Sequence, residues 1–183
     1  MNVSTSSDQP LKTFSGSDCS SGDKCVESCE EGWEENGDHC YFWGNDKKNW
    51  TDAEDHCQKI GSHLASVTSD AARNFVLEGL KRTGLKYANA WIGGNDIEEE
   101  GVWKWTDCTP WEVTFWASKE PSNAGDEDCV NHVFNSPGYP HFNHKWNDVK
   151  CDRETGFLCS KKICKGKSYQ NVFLPVPGVL VSK

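Results

Sequence analysis

The sequence predicts a small, disulfide-bonded α+β domain that carries one long functional loop. Three observations support this. Ten cysteines among 183 residues fit an oxidising compartment, where disulfides supplement a modest core. Two segments with helical spacing are followed by short aromatic strands. Between Trp105 and Trp146 the chain is rich in Pro, Gly, Asn and Asp with little periodicity. An irregular stretch of that length in a compact domain is normally functional or disordered; this one is pinned by cysteines and carries an acid cluster, which favours function.

The elements follow in order. Residues 1–28 are rich in Ser, Asp and Gly and read as a flexible N-terminal arm. Order is expected from about Cys29, with Cys40-Tyr41-Phe42-Trp43 as a first strand closed back onto Cys29 as a hairpin. Thr51-Asp52-Ala53-Glu54 reads as a capping box, with Ala53, His56, Cys57 and Ile60 at helical spacing and Gly61 as the stop. Ser69 caps a second helix, whose Ala72, Phe75, Val76, Gly79 and Leu80 share a face before Gly84 ends it. Ala90-Trp91-Ile92-Gly93 and Val102-Trp103-Lys104-Trp105 are aromatic strands, and Gly156-Phe157-Leu158-Cys159 is a closing strand. Residues 162–183 are a short tail, broken by Pro175, Pro177 and Gly178, and there is no internal repeat.

Composition excludes several functions. A net charge of −9 argues against nucleic acid, whose phosphates require a basic surface. No run of about 18 apolar residues is present, so no membrane-spanning helix is expected. Structural zinc needs CxxC pairs, and the closest spacing is Cys25 to Cys29. Sequons at Asn2-Val3-Ser4 and Asn49-Trp50-Thr51 fit secretion. Met1 to Pro10 is polar, so a signal peptide has been removed or the chain is a fragment.

The chemistry concentrates in Lys119 to Cys129, with Glu120, Ser122, Asn123, Asp126, Glu127 and Asp128, and in Trp146-Asn147-Asp148. Hard oxygen ligands at this density suit calcium. No acid/base pair serves a nucleophile, so binding is favoured over turnover and no enzyme is predicted. His132, His141 and His144 offer nitrogen ligands, but without an acid base or a helical setting they read as surface loop rather than zinc. Trp91, Trp103 and Trp105 read as core. Lys161, Lys162, Lys165 and Lys167 could attract anionic glycans, although a solvated tail is the plainer reading.

Together these motifs resemble the C-type lectin domain, over Cys29 to about Lys161. The resemblance rests on Cys40-Tyr41, Trp50 to Cys57, His63-Leu64-Ala65-Ser66, Trp91-Ile92-Gly93, Trp103-Lys104-Trp105, Glu120-Pro121, Glu127-Asp128-Cys129, Trp146-Asn147-Asp148 and Phe157-Leu158-Cys159, in that order. It implies a fold of two helices and two small antiparallel sheets with a calcium-stabilised loop region. It also implies disulfides Cys57–Cys159 and Cys129–Cys151, with Cys29–Cys40 marking the long form. Cys19, Cys25, Cys108 and Cys164 remain. Pairing Cys25 or Cys19 with Cys164 would join the two extensions, and interchain bonds leave a homo-oligomer, disulfide-linked or not, open.

Carried over from the family, Glu120, Ser122, Glu127, Asn147 and Asp148 hold one Ca²⁺ and the sugar, with Pro121 cis. Asp96, Glu100, Asn123 and Asp128 hold a second, structural Ca²⁺. Ser122 departs from the family's Asn, replacing a carbonyl and an NH2 donor by one hydroxyl on a shorter arm. The Glu-first order resembles mannose-type members, yet the sugar stays open between mannose- and galactose-type hexoses. The long segment before Trp146, with Phe134, Tyr139, His141 and Phe142, could wall the apolar face of a galactose. The implied function is a secreted calcium-dependent lectin for glycans or glycoproteins, microbial or self. The alternative is a relative that binds a protein, ice or mineral surface without sugar recognition.

Overall fold

The computed structural model describes residues 25–83 and 88–164, without the side chains of 80, 81 and 83. Most of the expected arm and tail, the stop at Gly84 and the sequon at Asn2 lie outside the described residues. The elements run β1 (Glu34–Asn36), β2 (His39–Lys48), α1 (Trp50–Lys59), β3 (His63–Leu64), α2 (Asp70–Thr83), β4 (Asn89–Asn95), β5 (Lys104–Trp105), β6 (Cys129–Val133), β7 (Lys145–Val149) and β8 (Thr155–Lys162). A short 3-10 turn spans Pro140–Phe142.

β1 and β2 form the expected hairpin, fastened by Cys29–Cys40. The strands order β1-β2-β8-β4-β6-β7, with β3 on β8 and β5 on β4. The antiparallel pairings fall into two sets, β1-β2-β8-β3 and β5-β4-β6-β7, and parallel pairing of β4 with β8 fuses them into one mixed sheet. β3, β6 and β7 carry no label in the sequence reading. β3 is only two residues long, and β6 lies inside the stretch taken as loop. Its Cys129-Val130-Asn131-His132-Val133 is buried throughout, so polar Asn and His are masked as loop-formers by burial on both faces.

The alternation of side chains along the strands divides the core in two. Tyr41, Trp43, Ile92, Trp146 and Leu158 point to one face, toward Val76 of α2. Trp91, Phe157 and Cys159 point to the other, toward Trp50, Ala53 and Cys57 of α1. Cys57–Cys159 stitches α1 to β8, and Cys129–Cys151 closes the β6–β7 end. Trp50 and Trp91 satisfy their indole N–H on the carbonyls of Ile92 and Lys48, at 2.9 and 3.0 Å.

The cap of the first helix needs correction. α1 starts at Trp50, and its N-cap is Asn49, not Thr51: Asp52 N donates to Asn49 Oδ1 at 2.8 Å, and Asn49 Nδ2 donates to Asp52 Oδ2 at 2.8 Å. Glu54 is therefore free of capping duty and fully buried. It accepts from Leu64 N at 2.7 Å and Gln58 Nε2 at 2.9 Å, and bonds His63 Nδ1 at 2.6 Å. One carboxylate thus fixes β3 against α1, and its bond raises the His63 pKa. The second helix starts as read, with Ala72 N donating to Ser69 Oγ at 3.1 Å.

Cys25–Cys164 joins the two extensions, and Val26 bridges Ile163 in parallel. Cys108 is also disulfide-bonded. Lys161 is buried, lies 4.0 Å over the Trp33 ring and bonds Glu30 at 2.8 Å, so it is not an anion-binding lysine. No helix of the described residues is long and apolar enough to cross a membrane.

Gly79 in α2 faces Trp43 so closely that a Cβ would sit 2.0 Å from the indole. Gly to Ala in a helix normally stabilises by about 0.5–1 kcal/mol. Here Gly79→Ala should instead destabilise by about 1–3 kcal/mol through overpacking, read as a lower urea midpoint with unchanged slope.

Candidate functional site

The carboxylate-rich loops hang on the β6–β7 end of the sheet. Trp146 of β7 is fully buried, with Trp105, Phe115 and Trp116 meeting it edge-on at 5.4, 5.3 and 5.7 Å. Its backbone N donates to Phe115 O at 2.8 Å, and Ala117 N donates to its carbonyl at 2.9 Å. The strandless segment before β6 is thereby drawn along β7. Two residues beyond Trp146, Asp148 meets the turn that follows the cis Glu120–Pro121 bond. Left-handed residues Lys119, Asn123, Asp126 and Gly125 fold this turn tightly.

Asp148 is fully buried. Its Oδ2 accepts from Ser122 N and Asn123 N at 2.7 and 2.6 Å. Glu127 Oε2 accepts from Ala124 N at 3.0 Å and from Ser122 Oγ at 3.4 Å. Glu120 Oε2 and Asp148 Oδ1 are buried and have no hydrogen-bond partner among the described residues. Burial pushes the Glu120 carboxyl up to about 7, reinforced by the adjacent Asp148 carboxylate and by the charge of Glu127; Ser122 opposes the shift. Bare carboxylate oxygens converging under mutual repulsion form a donor set suited to a hard divalent cation.

A second acidic group lies beside it. Asp96 is 1% exposed, accepts from Gly101 N at 2.8 Å through Oδ2, and leaves Oδ1 without a partner. Burial raises its pKa to about 6; the Gly101 bond opposes this, and Glu100 and Asp128 add to it. Asp128 is raised as well, by burial and then by Asp126. Carboxylate oxygens of Glu100, Asp126 and Asp128 lie within 4.8 Å of one another.

Of the residues singled out from sequence, Glu120, Ser122, Glu127 and Asp148 come together, and Asp96, Glu100 and Asp128 form the second group. Asn123 sits between them, with its side-chain oxygen accepting from Glu127 N at 2.8 Å. Asn147 stands on the face of β7 opposite Asp148, in register with Asn131. Asp126 was not singled out as a ligand. Its left-handed backbone turns it toward Glu100 and Asp128, and only the run Gly125-Asp126-Glu127-Asp128 hinted at it.

The histidines do not converge on a metal. His132 is fully buried against Phe134, with ring centroids 5.2 Å apart, and burial drops its pKa to about 3. Phe134 is likewise in the core, so it cannot wall a ligand. Tyr139 is 64% exposed, and His141 is exposed as well.

A disulfide-braced mixed sheet, two helices and a long loop region that gathers two carboxylate groups define a ligand-binding domain of the C-type lectin kind. The family profile described as the lectin C-type domain matches residues 46–161, and the chain belongs to that family. It is similar to a lectin of Pleurodeles waltl, 36% identical over 149 residues, covering 80% of this chain and 83% of the relative. Human C-type lectin domain family 17, member A, is 36% identical over 135 residues, 74% of this chain but 32% of the relative. The chain therefore spans about a third of that longer protein. Among solved structures, human lithostathine aligns with a TM-score of 0.66 at 30% identity, covering 74% of this chain and 91% of that one. The cow CD23 carbohydrate-recognition domain, solved in the presence of a GlcNAc2Man3 oligosaccharide, gives 0.64 at 28%, covering 75% and 98%. A calcium-independent type II antifreeze protein gives 0.64 at 25%, covering 74% and 95%.

The carboxylate group should cost stability when no cation neutralises it. The folded Glu120 value lies above the unfolded one, so the ionised side chain destabilises the fold above about pH 7. Protonation removes this effect as pH falls toward 4.5. In chelator at pH 8, Glu120→Gln should melt higher than the unchanged protein. At pH 5 the two melting curves should nearly coincide.

Proposed function

We propose that this domain is a secreted, non-enzymatic, calcium-dependent lectin that binds glycans reversibly. The observation that carries the reading is the pair of buried, partnerless oxygens on Glu120 and Asp148. Glu120, Ser122, Glu127 and Asp148 are the residues that would hold the ion at the sugar site; Asn147, expected beside them, stands on the other face of β7. Asp96, Glu100 and Asp128, joined by Asp126 and with Asn123 between the groups, would hold the second. A bound calcium supplies open coordination positions for two vicinal sugar hydroxyls. Glu120 and Glu127 accept hydrogen bonds from those hydroxyls, and charge assistance makes these bonds strong. Asp148 holds the 122–123 backbone in place and so sets the shape of the turn.

Protons compete with the cation for Glu120 and Asp96, whose raised pKa values put the competition in the mildly acidic range. Acid should therefore weaken cation and ligand binding together.

Retention on immobilised mannose or galactose in millimolar calcium, with elution by chelator, tests the reading. Asp148→Ala should abolish retention, and Glu120→Gln should weaken it severalfold while the fold persists. Chelator-resistant retention by the unchanged protein would sink the calcium mechanism.

The second reading, binding of a protein, ice or mineral surface, is favoured by Ser122, whose hydroxyl leans toward Glu127 at 3.4 Å and offers no amide to a sugar. Ser122→Asn separates the two. It supplies a carbonyl for the cation and an NH2 donor for the ligand. The calcium needed for half-maximal retention should fall severalfold, and inhibition should shift toward mannose over galactose. An unchanged preference would move the source of specificity to the 130–145 segment.

A further inference from the structure

The turn from β2 into α1 carries the sequon Asn49-Trp50-Thr51. We propose that Asn49 is a glycosylation site, bearing an N-linked oligosaccharide at the start of α1 while it still caps that helix. The proposal rests on the secreted part of the reading above and is independent of what the domain binds.

The geometry allows both roles. Asn49 is half-exposed, in extended backbone at φ −68° and ψ 166°. Its Oδ1 accepts from Asp52 N at 2.8 Å, and its Nδ2 donates to Asp52 Oδ2 at 2.8 Å. A side-chain amide has two N–H groups. One serves the exposed Asp52, and the other is left to carry a sugar. A linked Asn would keep its oxygen and one N–H, and the cap needs no more than these. Thr51, whose hydroxyl completes the sequon, is half-exposed as well, and Asn45, Asp46 and Lys47 on the approach are exposed. A bulky, hydrated group therefore has room outward.

Trp50 sets when the sugar is added. It is fully buried; its indole N–H donates to Ile92 O at 2.9 Å, and its backbone N donates to Cys151 O at 3.0 Å. An enzyme that grips Asn and Thr together must hold Trp50 as free chain, so transfer precedes the docking of Trp50 into the core. The donor is a lipid-linked diphospho-oligosaccharide of the secretory route. Asn49 Nδ2 bonds to the anomeric carbon of the first sugar, while the bond from that carbon to the diphosphate oxygen breaks. The lipid diphosphate leaves with the bonding electrons, Nδ2 gives up one proton, and nothing is oxidised or reduced. Folding then turns Trp50 inward and leaves the glycan outside, where its bulk bars another molecule from packing over the start of α1.

The test expresses the whole chain behind a cleavable signal peptide in a eukaryotic secretory host, with Asn2→Gln to remove the other sequon. Most of the secreted protein should migrate slower by one glycan, and the amidase PNGase F should abolish the shift. That enzyme converts a linked Asn to Asp, so in heavy-oxygen water the peptide holding residue 49 should gain a labelled Asp. Thr51→Ala should lose the shift and still fold, because Asn49 remains as the cap. Asn49→Gln should lose the shift and also melt lower, because the cap goes with the sugar. Secreted protein with an unlabelled Asn49 overturns the proposal. So does glycosylated protein that melts as low as Asn49→Gln, since cap and glycan would then exclude one another. Retention of the Thr51→Ala chain on immobilised sugar tests the lectin reading separately, so each reading can fail without the other.

Discussion

Trp146 is the contact on which the site depends. The segment between β5 and β6 contains no strand of its own, so little in its own backbone pairing holds it in place. It is held because Trp105, Phe115 and Trp116 pack edge-on around one buried indole, and because the chain on either side of Trp116 hydrogen-bonds the Trp146 backbone. Aromatic edge-to-face contacts add about 0.5–1.5 kcal/mol each beyond the area they bury. The same strand then carries Asn147 and Asp148. Core packing and ligand positioning are thus consecutive residues of β7, and loosening the first would displace the second.

The carboxylates oppose that order. Glu120, Asp148 and Asp96 are placed where water reaches them poorly, and each keeps an oxygen without a hydrogen-bond partner among the described residues. Glu54, buried as deeply as Asp148, is instead met by three donors. The contrast separates a structural carboxylate from one held ready for an external partner. The disulfide Cys129–Cys151 braces the β6–β7 end that carries this repulsion.

Much of this was legible in the chain. The cysteine spacing, the helix faces and the ordered aromatic motifs carry the fold, and the oxygen-rich turn carries the site. What escaped did so for physical reasons. Thr51 looked like a cap because Glu54 lies three residues on, yet Glu54 is drawn inward by Leu64 N and His63, and Asn49 caps instead. Asn131 and His132 looked like loop residues because strand propensity is low for both, while burial between two neighbouring strands overrides it. Phe134 looked available and is core. Asp126 became a candidate ligand only through a left-handed backbone, which sequence spacing does not reveal.

Cys25–Cys164 and the Val26–Ile163 bridge have a consequence for how the domain works in number. Cys25 and Cys164 lie together beside β8 and β2, whereas the carboxylate loops hang from β6 and β7 at the other end of the strand order. Copies gathered on the Cys25–Cys164 side would point their loops outward without crowding them. A weak single contact, repeated on a surface studded with the same ligand, then gains by effective concentration, and avidity can exceed the individual affinity by about 10²–10⁴ with no new contact.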